Sequence, residues 1–310
     1  MAPSSSRALP AIPVMLLVTL IWGANFSVSK FALSRMPVLP FSALRFLLAS
    51  ACLWGIVWMV EPAVRMPRRV LWRLIALGVI GNTLYQIAFM TGLTLTTATN
   101  SSLLVASTPM AVITLGALFG VERPTRAVWA AVLLGTGGVV LVVLSKGGGA
   151  QFGDATVRGD LLTFVAVLCW AVFTLGIRAL PTDISPLRLT AIATTAGTPG
   201  LVLGAAPQLG AVAWGTLGWQ VWAAIAYASL LSIVVAYILW NAMVRQVGSG
   251  RTALLGMMVP VWAVLIAVLA LGERPTWMQG AGAVLIVSSM LVSRLGQPTA
   301  VLAREDEAAS

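Results

Sequence analysis

Runs of about 20 mostly apolar residues, the length that carries an α-helix across a bilayer, follow one another through almost the whole chain. They fall near residues 11–30, 41–60, 70–92, 98–119, 126–145, 160–179, 186–205, 219–243, 250–271 and 276–294. Backbone polar groups in hydrocarbon must be satisfied within the protein, so each run reads as a helix. The expected fold class is an all-α integral membrane protein with ten transmembrane helices. Composition points the same way: 59% of residues are hydrophobic and only 9% charged, against about 25% charged in soluble domains. The first run, from Pro13, is too long and too polar at its end for a cleavable leader and is expected to stay as a span.

Charge orients the spans. With the N-terminus in the cytoplasm, 13 of the 19 lysines and arginines face that side, among them Arg65, Arg68, Arg69 and Arg73. Lys30, Arg35, Arg45, Lys146, Arg158 and Arg274 face outward. The positive-inside rule then places both termini in the cytoplasm of a cell's inner (plasma) membrane. The net charge of +10 forms no basic stripe interleaved with aromatics, so nucleic acid is not an expected partner. Cys52 and Cys169 lie far apart in apolar runs and give neither a disulfide framework nor metal-ligand spacing. The chain has no histidine, and its nine acids sit in loops, near helix ends or in the tail. An enzyme would need a base, a metal or paired acids, so no catalytic residue, metal or cofactor is expected.

"GVERPT" at Gly120 to Thr125 returns as "LGERPT" at Leu271 to Thr276, and the surroundings return with it. At the same offset Pro109 falls on Pro260, and Leu103-Leu104 on Leu254-Leu255. With small gaps, Trp22 matches Trp170, Lys30 matches Arg178, and Leu44-Arg45 matches Leu187-Arg188. This divides the chain into a first five-helix repeat at 1–145, a Gly-rich linker at 146–158, a second repeat at 159–294 and a polar cytoplasmic tail at 295–310. Five is odd, so the second copy enters the membrane from the opposite side. Two inverted repeats meeting near the midplane are the architecture of alternating access. Each "ERPT" reads as the turn ending a fourth helix, with Thr125 or Thr276 capping the next.

"LIWGANFSVSKFALSRMPVLPFSALRFLLA" (Leu20 to Ala49), "GDLLTFVAVLCWAVFTLGIRAL" (Gly159 to Leu180) and the two "ERPT" turns resemble the EamA-type transporters of the drug/metabolite transporter superfamily. The resemblance covers nearly the whole chain. It implies a central cavity lined mainly by spans 1, 3, 4, 6, 8 and 9, and export of amino acids or related small metabolites. A lipid scramblase or flippase, or a multidrug exporter, is the alternative.

Polar groups at membrane depth mark candidate site positions. Asn82, Tyr85, Gln86 and Phe89 follow i, i+3, i+4, i+7 spacing, one face of the third span. At the repeat offset, span 8 offers Tyr237 and Trp240. Such faces suit a cavity, although asparagine and glutamine also bond across packed helices. Trp22, Trp170, Trp240 and Trp262 are too deep for an interfacial belt and either fill space or offer rings to a ligand. The resemblance favours the second role for Trp22 and Trp170, and Asn25 adds an amide beside Trp22. Pro109 and Pro260 read as mid-span prolines that free the carbonyls of Val105 and Gly256, either as hinges or as fixed kinks. The expected partners are the lipid bilayer and a small-molecule substrate, zwitterionic or neutral rather than cationic. The assembly is expected to be a monomer or homodimer.

Overall fold

The apolar runs fold as helices, and no strand occurs among the described residues. The structure is a computed structural model and describes residues 10–64, 66–120, 125–144, 155–180, 184–256, 258–272 and 274–295. Helix α1 spans Ala11–Leu33 and α2 Val38–Val60. Helix α3 runs over Arg68–Leu95, with a π-helical stretch at Val79–Leu84. Then come α4 at Ala98–Val105, α5 at Thr108–Leu118, α6 at Arg126–Leu144, α7 at Ala155–Arg178 and α8 at Pro186–Ala205. Helix α9 covers Trp219–Val247, with a second π-helical stretch at Tyr227–Val235. Helices α10 (Ser249–Leu255), α11 (Met258–Leu271) and α12 (Trp277–Leu295) complete the described chain.

Seven helical segments are long and apolar enough to cross a membrane: α1, α2, α3, the Asn100–Leu118 segment, α7, α8 with its extension to Ala211, and α9. Large apolar side chains such as Trp58, Leu133, Leu203 and Trp219 point outward over the bundle. That surface suits lipid rather than water, and the protein is a multi-pass membrane protein.

Helix pairing places the core. Helix α1 packs along α11, α2 along α8, the second half of α3 along α7, and α6 along α12. Close crossings depend on small residues, as membrane helix contacts generally do. At the α3–α7 crossing Gly92 meets Gly159: a Cβ on Gly159 would lie 2.8 Å from the Gly92 carbonyl oxygen.

Three sequence expectations are revised here. The linker ends earlier than residue 158, because Ala155 already begins α7. Pro109 is not mid-helix: the fourth span breaks at Ala106-Ser107, and Pro109 lies in the first turn of α5, where a missing N–H costs nothing. The Val105 carbonyl accepts the Thr108 hydroxyl at 2.6 Å, so it is not left free. Pro260 likewise lies in the first turn of α11, and the Gly256 carbonyl accepts the Val259 N–H at 3.1 Å. Both prolines begin the second half of a broken span. The "ERPT" turns themselves lie largely outside the described residues, since 121–124 and 273 are not described. Their flanks still match. Gly120 and Gly272, with φ of 69° and 66°, each follow a helix in the left-handed conformation that glycine adopts freely. Thr276 and Gln279 then form a reciprocal cap on α12: the Thr276 N–H donates to Gln279 Oε1 and the Gln279 N–H to Thr276 Oγ1.

Candidate functional site

The broken fourth and ninth spans and the second π-helical stretch, through Ser232, meet at a central cavity. Helices α1, α2, α3, α5, α7, α9 and α10 contribute to its wall, with Val105 closing α4 and Val259 opening α11.

Its centre is a box of aromatic rings. The Trp22 ring stands edge-on to Trp170 at 5.7 Å and to Tyr237 at 6.0 Å, and lies tilted at 5.1 Å from Trp240. Trp170 in turn lies 5.2 Å from Tyr85, 5.2 Å from Tyr237 and 5.8 Å from Trp240. Tyr85 stacks on Phe89 at 5.4 Å. These separations and tilts are those that aromatic quadrupoles favour, so the rings hold one another in place as well as forming the wall. Two bonds anchor the box. Trp22 Nε1 donates to the Ser232 carbonyl at 3.0 Å, and the Tyr227 hydroxyl donates to the Ile21 carbonyl at 2.8 Å.

Of the candidates singled out from sequence, Trp22, Asn25, Tyr85, Gln86, Phe89, Trp170, Tyr237 and Trp240 all line this cavity, as does Pro109. Asn25 is buried and accepts the Ser29 hydroxyl at 3.3 Å. Gln86 is 2% exposed, and its Oε1 has no hydrogen-bond partner.

Asn82 and Trp262 are not brought there. Asn82 turns onto α8 and donates from Nδ2 to the Ala193 carbonyl at 2.8 Å, beside Thr83, which donates to the Gly197 carbonyl at 2.6 Å. The reason is the π-helical stretch at Val79–Leu84. A π turn winds more residues per turn than an α-helix, so the spacing that aligns Asn82 with Gln86 on an ideal helix fails here. Trp262 packs instead where α11 crosses α1 at Gly23. Asn82 therefore joins α3 to α8, and Asn82→Leu is expected to lower Tm by roughly 2–6 °C, for about 1–1.5 kcal/mol of lost bonding. Substrate affinity in that variant should stay within about two-fold. A matched loss of affinity at unchanged Tm would return Asn82 to the site.

Arg45 was not foreseen as a site residue. Expected at the outer surface, it is 1% exposed and lines the cavity. Its guanidinium lies 5.0 Å from the Phe41 ring centroid and donates to Met90 Sδ at 3.7 Å and to the Ala228 carbonyl at 3.4 Å. The signal was present in the sequence. Arg45 lies seven residues into α2, about 10 Å at 1.5 Å per residue, on the same face as Phe41, Ser42 and Ala49, all buried.

A polar network joins the ends of several helices. Lys30 donates from Nζ to the Thr96 carbonyl, and the Thr96 hydroxyl donates to Asp160 Oδ1 at 2.6 Å. Asn100 Nδ2 reaches Asp160 Oδ2 at 3.1 Å, and Gln279 Nε2 donates to Asn100 Oδ1. Asp160, in the first turns of α7, is thereby fully buried at 1% exposure. Nearby, the hydroxyls of Ser101 and Thr163 lie 3.3 Å apart. At the far end of α7 Arg178 donates to the Arg245 carbonyl at 3.2 Å, and Arg188 in the first turn of α8 pairs with Glu61, just past α2, at 3.2 Å. Among the described residues no three or more Cys, Asp or Glu gather in a metal-binding group.

The sequence pattern of the EamA-like transporter family matches this chain twice, over residues 9–144 and 157–295. A protein of Archaeoglobus fulgidus named as an uncharacterized transporter is 29% identical over 92% of this chain and 97% of its own. A probable amino-acid metabolite efflux pump of Salmonella typhimurium is 27% identical, over 91% of this chain and 93% of its own. A solved crystal structure, 21% identical, superposes with a TM-score of 0.66 over 92% of this chain and 96% of its own. That last likeness is one of fold.

Proposed function

The chain belongs to the EamA-like transporter family, and from that premise we propose that it exports amino acids or related small metabolites through the aromatic cavity. The export cycle is alternating access between two inverted five-helix repeats, at 1–145 and 159–294, in a cell's inner membrane with both termini cytoplasmic. The carrying observation is the cavity itself: one space, at the meeting of both halves, walled by rings and by buried polar groups that lack partners. The helix pairings support the inverted duplication. The first span packs on the ninth as the sixth packs on the fourth, and the pairs α2–α8 and α6–α12 each join matching helices of the two halves. The π-helical stretches in α3 and α9 and the breaks before Pro109 and Pro260 also recur at matching places. The similarity to an amino-acid metabolite efflux pump favours that substrate class.

Proteoliposomes loaded with unlabelled amino acids test the reading. They should accumulate the matching labelled amino acid by counterflow, and Gln86→Leu should weaken apparent affinity about five- to thirty-fold, for about 1–2 kcal/mol of lost amide bonding. Its Tm should fall no further than that of Asn82→Leu, since Gln86 Oε1 bonds nothing in the protein and its side chain meets only the Tyr237 hydroxyl. A lipid scramblase would instead equilibrate a fluorescent phospholipid between leaflets. Scrambling without amino-acid counterflow would replace the export reading.

A further inference from the structure

We infer that the cavity is a carboxylate site: Arg45 holds the free carboxylate of the substrate, with Trp240 Nε1 as second donor, so that a zwitterionic α-amino acid fits and a cationic drug does not. The inference rests on the transport reading above and specifies its substrate.

Arg45 is a buried cation without a neutralising acid. Among the described residues no carboxylate lies within ion-pair distance of it, its two protein bonds are long, and its Nε–H has no partner. An unpaired guanidinium out of water is costly, and the Phe41 ring at 5.0 Å compensates it only in part. Its counterpart in the second half shows the alternative. Arg188 is also buried, yet Glu61 pairs with it and the Pro62 carbonyl accepts from it. One arginine of the matched pair carries its own carboxylate; the other faces the cavity without one. The missing anion is best supplied by the ligand, since a guanidinium offers donors in the planar fork that a carboxylate accepts.

Further unpaired groups complete the pattern. Trp22 spends its indole N–H on the Ser232 carbonyl, but Trp240 Nε1, in the same box, is buried with no partner. It is a neutral donor for the second carboxylate oxygen or its neighbour. Gln86 Oε1, also cavity-lining and unpaired, is an acceptor. With the faces of Trp22, Trp170 and Tyr237 it suits an ammonium group, through a hydrogen bond and cation–π attraction. Donors for an anion and an acceptor with rings for a cation share one cavity. That is the polarity of a zwitterion.

The purified wild-type protein is titrated calorimetrically with the twenty common L-amino acids, and the tightest binder is compared with its own primary amide and its own deaminated acid. At least one amino acid should bind, and its amide should bind about ten-fold or more weakly. Arg45→Gln should weaken the amino acid about 10- to 100-fold, Arg45→Lys less, and Trp240→Phe by a few-fold, while Arg45→Gln weakens the amide, which carries an acceptor but no negative charge, by a smaller factor, so that the gap between the amino acid and its amide narrows. Because Arg45 also reaches Ala228 and Met90, the Arg45 variants are compared only if they remain monodisperse. The amide comparison needs no substitution at all. An amide that binds as tightly as its acid, or no binding by any of the twenty, overturns the carboxylate site. A deaminated acid binding as tightly as the amino acid overturns the ammonium half. Counterflow of the same compounds is scored separately. Carboxylate-dependent binding without counterflow sinks the export reading and leaves this site, whereas counterflow indifferent to amidation does the reverse.

Discussion

Replacing Gly159 by leucine is expected to cost about 3 kcal/mol, the upper end of ordinary overpacking, and to lower Tm by roughly 6–12 °C. At this crossing of α3 and α7 the obstacle is backbone. Beyond the Gly92 carbonyl oxygen at 2.8 Å, a Cβ on Gly159 would meet Leu95 Cβ at 2.8 Å and the Leu95 carbonyl carbon at 2.9 Å. No rotamer relieves those contacts, so the helices must separate. Asp160 follows directly in sequence, and separation would pull its carboxylate from the Thr96 hydroxyl and the Asn100 amide, leaving buried polar groups unmet. The control is Gly137→Leu, on an exposed face of α6 with nothing within 4 Å of the new Cβ, which should melt within about 1–2 °C of wild type. A Gly159→Leu protein that melts with the wild type would show that α3 and α7 do not cross this closely.

How far the sequence foretells this molecule depends on which physical signal carries each feature. Span positions follow from hydropathy, which depends on chain-local composition, and the helices stand where the apolar runs do. That Trp22 and Trp170 belong together was legible through the duplication, which sets them at matching places of the two repeats, and their rings meet at 5.7 Å. Trp240 and Tyr237 were legible by the same offset. Asn82 was misread because the face argument assumes 3.6 residues per turn, and the π-helical stretch through Val79–Leu84 changes the winding just before Tyr85. Nothing in the local sequence announces that stretch. Pro109 and Pro260 were recognised as interruptions, but whether a proline kinks a helix or begins a new one depends on the preceding residues, here Ser107 and Thr108 bonding back to Leu104 and Val105. Arg45 was misplaced because an arginine near a span end ordinarily reaches for water; its burial is decided by Phe41, Met90 and Ala228, on three different helices. Asp160 tells the same story: its position near a helix start was visible, and its enclosure by Thr96 and Asn100 was not.

Alternating access requires the two halves to part where Asp160 and its partners now hold them together, and a covalent link there should stop transport. Ser101 of α4 and Thr163 of α7 belong to different halves, and their hydroxyl oxygens lie 3.3 Å apart, close enough for a disulfide or a very short thiol cross-linker. In a chain with Cys52 and Cys169 replaced by alanine, Ser101→Cys with Thr163→Cys is oxidised, reconstituted and assayed for amino-acid counterflow before and after reduction. The linked protein should exchange at the level of empty liposomes, and reduction should restore the rate of the unlinked double variant. Full counterflow through the linked protein would contradict alternating access by separation of the halves at this end.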